Sequence, residues 1–198
     1  MDKHLKLDAQ VNANCKSAWF NLYQISKIKR YLSQEQLKSI IQAFVISKID
    51  MNNGLLAGSP DCITKKLQSV QNAATKLVQG INRWDRVEPP LRELHWLPVQ
   101  YRVKFKILLL VYKSLINKGP AYLKELLIPC VPSRSLRSTN SNCLVVPRTR
   151  LKTYGDRAFR VIGPKLWNQL PNHIKNSSSV SAFKRSLKTY FFKTAFKK

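Results

Sequence analysis

Residues 59–80 read Ser59-Pro60-Asp61-Cys62-Ile63-Thr64-Lys65-Lys66-Leu67-Gln68-Ser69-Val70-Gln71-Asn72-Ala73-Ala74-Thr75-Lys76-Leu77-Val78-Gln79-Gly80, and they decide the fold. Ile63, Leu67, Val70, Ala74, Leu77 and Val78 recur at spacings of mostly three and four, which places them on one face of an α-helix. Ser59 offers a capping hydroxyl and Pro60 suits the first helical position. Gly80 suits the left-handed turn that closes a helix.

The same logic extends toward the N-terminus. Ser33-Gln34-Glu35-Gln36 is a capping-box pattern, in which a Ser hydroxyl and a Gln three residues on satisfy free backbone amides. It opens a helix with Leu37, Ile40, Ile41, Phe44, Val45 and Ile49 on its apolar face, and Asn52-Asn53-Gly54 breaks it. Before it, Val11, Cys15, Ala18, Leu22 and Ile25 share a face of another helix. Lys16, Lys27, Lys29 and Arg30 fall off that face, toward water or a ligand. Three such helices joined by short polar turns predict an up-down bundle over residues 1–80.

Toward the C-terminus the texture changes. Pro89 to Pro98 predicts a short helix and a tight turn, and Pro98 heads a helix running to about Asn117 with Val103, Ile107, Leu110, Val111 and Leu115 inward. Gly119-Pro120 ends it, and Pro120 to Ile128 predicts one more short helix. Prolines and serines mark residues 129–155 as irregular chain, with Leu144-Val145-Val146 a strand candidate lacking an obvious partner. Asp156–Ile162 and Pro164–Leu170 read as short helices punctuated by Gly163 and Pro171. A last amphipathic helix begins near Ser179, with Val180, Phe183, Leu187, Tyr190 and Phe191 inward. The expected fold is mainly α: a three-helix up-down bundle (1–80), a helical connection (81–128) and a basic, loop-rich C-terminal subdomain (129–198).

Composition bounds the function. A hydrophobic fraction of 44% in 198 residues predicts a real core. Thirty-five Lys and Arg against ten Asp and Glu give a net charge of +25, which favours a polyanionic partner. Residues 131–198 hold fifteen of those cations and one acid, Asp156. The densest stretch carries Arg134, Arg137, Arg148, Arg150, Lys152, Arg157 and Arg160, and guanidinium forks match phosphate oxygens in pairs. Lys184, Arg185 and Lys188 add a basic face to the last helix. These ten residues are the candidate nucleic-acid contacts. Tyr154, Phe159 and Trp167 lie among them and could stack bases, although Phe159 and Trp167 read better as core. The apolar side of the last helix is better explained by packing than by a bilayer.

The chemistry of catalysis is missing. There is no Asp-Asp pair to hold polymerase metals, no phosphate-cradling Gly-rich loop before Lys-Ser/Thr, and no Gly-x-Ser-x-Gly. Glu93 and His95 form only a weak acid–base pair, and Asp50, Asp61, Asp85 and Glu88 would make a nuclease only by chance folding. Cys15, Cys62, Cys130 and Cys143 lack zinc-site spacing. Cys15 and Cys62 read as core residues, whereas Cys130 and Cys143 flank a loop and could meet. No cofactor is expected. With no signal-peptide stretch and Ile107–Val111 as the longest apolar run, an intracellular protein, nuclear or cytoplasmic and not secreted, is expected.

Several long strings carry a family resemblance. They are Lys66-Leu67-Gln68-Ser69-Val70-Gln71-Asn72-Ala73-Ala74, Leu91-Arg92-Glu93-Leu94-His95-Trp96-Leu97-Pro98-Val99 and Phe105-Lys106-Ile107-Leu108-Leu109-Leu110. Further on come Pro132-Ser133-Arg134-Ser135-Leu136-Arg137-Ser138, Val146-Pro147-Arg148-Thr149-Arg150-Leu151-Lys152-Thr153-Tyr154-Gly155-Asp156-Arg157, Leu166-Trp167-Asn168-Gln169-Leu170-Pro171 and 180–191. In this order, over nearly the whole chain, they resemble the region that follows the polymerase palm in non-LTR (LINE-type) retrotransposon reverse transcriptases. The resemblance implies a thumb-like bundle over 1–80 and a C-terminal extension over 81–198 that engages RNA, DNA or both. The family's Tyr-x-Asp-Asp element has no counterpart here, so the chain is expected to be no enzyme by itself and to look like a truncated reading frame. A part that works only with palm and fingers supplied in trans, and a genomic relic, are the alternatives that the resemblance leaves open. No membrane or small-molecule partner is expected.

Overall fold

A computed structural model of the chain describes residues 7–130, 142–151 and 154–196, and over these the fold is all-helical with no sheet. The chain forms two compact units, Met1–Arg102 with Thr194–Lys198, and Val103–Lys193. Among the described residues no helix is long and apolar enough to cross a membrane.

In the first unit, α1 (Asp8–Ile28) buries Val11, Asn14, Ala18, Leu22 and Ile25. The helix α2 (Gln34–Ile41) starts at the expected capping box: the Gln36 amide donates to Ser33 Oγ at 3.3 Å and the Ser33 amide donates to Gln36 Oε1 at 2.9 Å. It runs through a π-helical turn, Gln42–Ile46, into α3 (Ser47–Asp50). The turn corrects the expected apolar face, because Phe44 is exposed, Ile40 half-buried and Ile46 buried. A π turn holds one residue more than an α turn, so every later position lags in phase. Leu37, Ile41, Val45, Ile46 and Ile49 are thereby gathered inward, and the outward Phe44 carbonyl accepts from Asn21 Nδ2 at 2.9 Å.

Helix α4 (Asp61–Gln79) begins one residue later than expected, with Pro60 in the extended capping position. Gly80, at φ 68°, closes it, and the Gly80 and Ile81 amides both donate to the Lys76 carbonyl. Gln71 and Thr75 are buried beside the expected apolar residues, and Leu77 is half-buried. Cys62 is exposed and Cys15 half-buried, so neither is the core residue its helical position suggested. Burial pushes the Cys15 thiol above its ordinary pKa, with the Lys66 ammonium pulling partly the other way. Lys66 Nζ donates to Asn12 Oδ1 at 2.9 Å near the start of α1, while Lys29 lies over Gly80 at the far end. Helices α1 and α4 therefore run side by side in the same direction, with α2 and α3 packed against α1.

The short α5 (Glu88–Glu93) ends in paired bonds, Trp96 N–H to Leu91 O at 2.9 Å and His95 N–H to Arg92 O at 3.1 Å, with His95 at φ 55°. That left-handed closure buries Trp96 and Leu91 together. Two glutamines of α4 hold the turn that follows. Gln71 Nε2 donates to Leu97 O at 2.9 Å, and the Val99 amide donates to Gln68 Oε1 at 2.8 Å. In α6 (Val99–Leu115) the first turn ends at Arg102, whose guanidinium grips Asp50 with two bonds.

In the second unit, α6 buries Val103, Ile107, Leu108, Val111 and Tyr112, while Leu110 and Leu115, expected inward, are half-buried. After α7 (Ala121–Glu125) comes a single antiparallel bridge, Pro129 to Leu144, which is all that the strand candidate forms. Cys130 N–H donates to Cys143 O at 2.9 Å, and this register sets the two cysteines opposite each other. Helix α8 (Phe159–Asn168) runs straight through Gly163-Pro164, where a break was expected. Pro164 forfeits one helical bond, and the glycine before it removes the Cβ that would crowd the ring. That glycine also packs closely, since a Cβ there would stand 3.1 Å from Val111 Cγ2. Beyond α9 (Asn172–Lys175), α10 (Val180–Ala195) is capped by Ser179 Oγ, which accepts from the Ala182 amide at 3.1 Å. It buries Phe183, Leu187 and Phe191, with Tyr190 half-buried. Phe183 stacks on Tyr112 with centroids 4.1 Å apart and lies 6.1 Å from the Trp167 ring. Such ring pairs contribute about 0.5–1.5 kcal/mol each beyond area burial.

Candidate nucleic-acid interface

The chain on either side of the bridge is pinned to α8 and to the turn before it. Asn168 Oδ1 accepts from the Leu144 amide at 2.9 Å and its Nδ2 donates to the Leu144 carbonyl at 2.8 Å, so one side chain pairs with both backbone groups of a single residue. Trp167 Nε1 donates to Asn142 O at 2.8 Å. Five residues beyond Leu144, Thr149 Oγ1 donates to Asp156 Oδ1, and the Gly155 amide donates to Leu151 O at 2.8 Å. A Cβ on Gly155 would stand 2.8 Å from Thr149 Cβ, so glycine permits the close approach.

This docking sets the charges. Thr149 is half-buried and turned toward Asp156, and its neighbours Arg148 and Arg150 are both exposed. The stretch is irregular chain with a bend at Arg150, so what places the two arginines is their position on either side of the anchored Thr149. The Thr149–Asp156 bond holds this stretch at the 3-10 turn Gly155–Arg157, which leads into α8. Arg157, half-buried, follows Asp156 in that turn, and Arg160, exposed, lies in the first turn of α8. Asp156 is the sole acid of residues 131–198, and its carboxylate is engaged by Thr149. Lys184, Arg185 and Lys188 are all exposed on α10, off the buried stripe of Phe183, Leu187 and Phe191. Arg134, Arg137 and Lys152 lie outside the described residues. Among the aromatics, Trp167 is buried as expected, Phe159 half-buried and Tyr154 exposed.

Three of the acid candidates make bonds that hold the fold. Asp50 is held by Arg102, Asp85 Oδ2 accepts from the Asn82 amide at 2.7 Å, and Glu93 Oε2 accepts from Gln79 Nε2 at 3.0 Å. Among the described residues no group of three or more His, Cys, Asp or Glu could hold a metal ion. Sequence reasoning passed over Trp19, Phe20 and Tyr23, which are exposed on α1. Their signal was available: three large aromatics off the apolar face of a helix. No protein-family model matches the chain, and neither a curated protein nor a solved structure matches it.

Proposed function

We propose that this chain is a nucleic-acid-binding module, the helical and basic part that follows the palm of a non-LTR retrotransposon reverse transcriptase, without catalytic carboxylates of its own. Its first helices serve as a thumb-like three-helix scaffold, and its C-terminal cations grip phosphate. The observation that carries the reading is the pair of exposed arginines, Arg148 and Arg150, on either side of Thr149, which is bonded to Asp156, the one acid against fifteen Lys and Arg in residues 131–198. Contacts of this kind confer affinity and salt sensitivity more than sequence choice.

Fluorescence anisotropy with a labelled DNA duplex and a single-stranded RNA, across a salt series, tests it. With about five phosphates neutralised, log K falls against log salt with a slope of about −4 on duplex, and less steeply on single strands. The Arg148→Ala, Arg150→Ala, Arg160→Ala triple variant flattens that slope by about 2–3. An unchanged slope removes these arginines from the interface, and no binding at moderate salt ends the proposal.

A further inference from the structure

A groove of about 470 Å³ opens in the first unit between α1 and the C-terminal half of α4, floored by Leu22, Ala73 and Leu77. Trp19 and Tyr23 line it with rings that are 44% and 61% exposed. Lys29, Lys76 and Arg83 stand among the lining residues, and no acid does. The rim is built rather than incidental. Lys76 Nζ donates to the Arg83 carbonyl, tying the turn after α4 to the helix, and Lys29 Nζ sits 3.6 Å from where a Gly80 Cβ would be. Cations already rest on rings at this end: Lys27 lies 4.4 Å from the Tyr23 centroid, Arg30 4.7 Å from Tyr31 and Arg83 5.7 Å from Trp84. Trp84 is 89% exposed.

We propose that this groove holds an unpaired stretch of nucleic acid, with bases stacked on Trp19 and Tyr23 and phosphates against Lys29, Lys76 and Arg83. Solvent-facing rings have a use when something flat covers them, and an acid-free ring of cations selects an anionic ligand. A single strand offers both, because its bases present their faces, whereas a duplex hides them in the stack. An acidic peptide would satisfy the cations and leave the rings uncovered. The inference rests on the nucleic-acid reading but concerns a different surface and a different contact, base stacking instead of phosphate pairing.

The test uses the full chain with a labelled oligo(dT) 20-mer, a DNA duplex of equal length and polyglutamate as competitor. Trp19→Leu with Tyr23→Leu weakens oligo(dT) binding by about tenfold or more and leaves duplex binding within about twofold, whereas Trp19→Phe retains it. Phe20→Leu, equally exposed on α1 but outside the groove lining, leaves both unchanged. Should the double variant lose its helical circular dichroism, Tyr23→Leu alone gives the same contrast from a ring that is mostly in solvent. Equal loss on both substrates, no loss on oligo(dT), or polyglutamate displacing oligo(dT) at equal charge overturns the inference. If wild-type binding is salt-steep and responds to Arg148, Arg150 and Arg160 but not to Trp19 and Tyr23, the groove falls and the phosphate reading stands. If the wild type binds neither substrate, both fall.

Discussion

At Gly119 the chain leaves no room for a methyl group. A Cβ there would stand 2.9 Å from Ser114 Oγ and 3.0 Å from the Ser114 amide nitrogen, and backbone does not yield cheaply. The neighbouring Asn117 sits at φ 57°, with Lys118 N–H bonded to Lys113 O at 2.8 Å, so the helix end just before the glycine is fixed. Gly119→Ala should cost about 1–3 kcal/mol, read as a lower urea midpoint with an unchanged slope. Cys15 makes a second prediction at this scale. Its folded-state pKa is raised by burial, so the folded form favours the protonated thiol. That contribution to stability is complete below the ordinary thiol pKa and is lost as pH rises through the raised value. Iodoacetamide should therefore label exposed Cys62 well before Cys15 near neutral pH, with the lag shrinking as pH climbs, and peptide mass spectrometry reads the order. Equal labelling rates would contradict the burial.

At the scale of elements, the π turn explains both a stable helix and a misread one. Remove one residue between Ile41 and Val45, and the buried set Leu37, Ile41, Val45, Ile46 and Ile49 falls at intervals of four, three, one and three, an ordinary α-helical stripe. Deleting Phe44, which is exposed, should therefore let the π turn relax to α geometry and change stability by no more than about 1 kcal/mol, in a thermal melt. A deletion in α4, which has no such turn to absorb it, should abolish cooperative unfolding. What was legible in the sequence was local: the Ser33 capping box, Gly80 and the inward residues of α10 depend on neighbours within a turn or two. What was illegible needed distant partners or a change of period. Gln71 reads as a surface residue until Leu97 supplies its acceptor, and Phe44 reads as core until one extra residue turns it outward. Gly163-Pro164 looks like a stop, and only its packing beside Val111 shows why the pair sits within a helix. The candidate interface follows the same division. Composition exposed the cluster of arginines, but the Thr149–Asp156 bond that fixes the residue between Arg148 and Arg150 spans an irregular stretch with no periodicity to read.

At the scale of the molecule, thirty-five Lys and Arg face only ten Asp and Glu, two of which are held in the pairs Arg102–Asp50 and Lys66–Asp8, the latter at 3.7 Å. Most of the positive charge is thus available to a counter-ion, so added polyanion should raise the melting temperature, and more at low ionic strength. The single bridge between Pro129 and Leu144 has a different consequence. It places Cys130 and Cys143 directly across from each other, at a position where antiparallel backbones lie about 5.5 Å apart between Cα atoms, within the span of a disulfide. Exposure to glutathione disulfide should oxidise the two thiols to one bond, with their two electrons and two protons passing to the reagent. The product is a covalent ring of fourteen residues that contains Arg134 and Arg137. Such a ring removes freedom from the unfolded chain and should stabilise by roughly 3 kcal/mol, less any strain at the bond. The oxidised chain would be lighter by two hydrogens, Cys130→Ser would prevent the change, and dithiothreitol would undo it. An interaction one residue pair wide thereby gives this otherwise helical chain a clasp that the redox state of its surroundings can close.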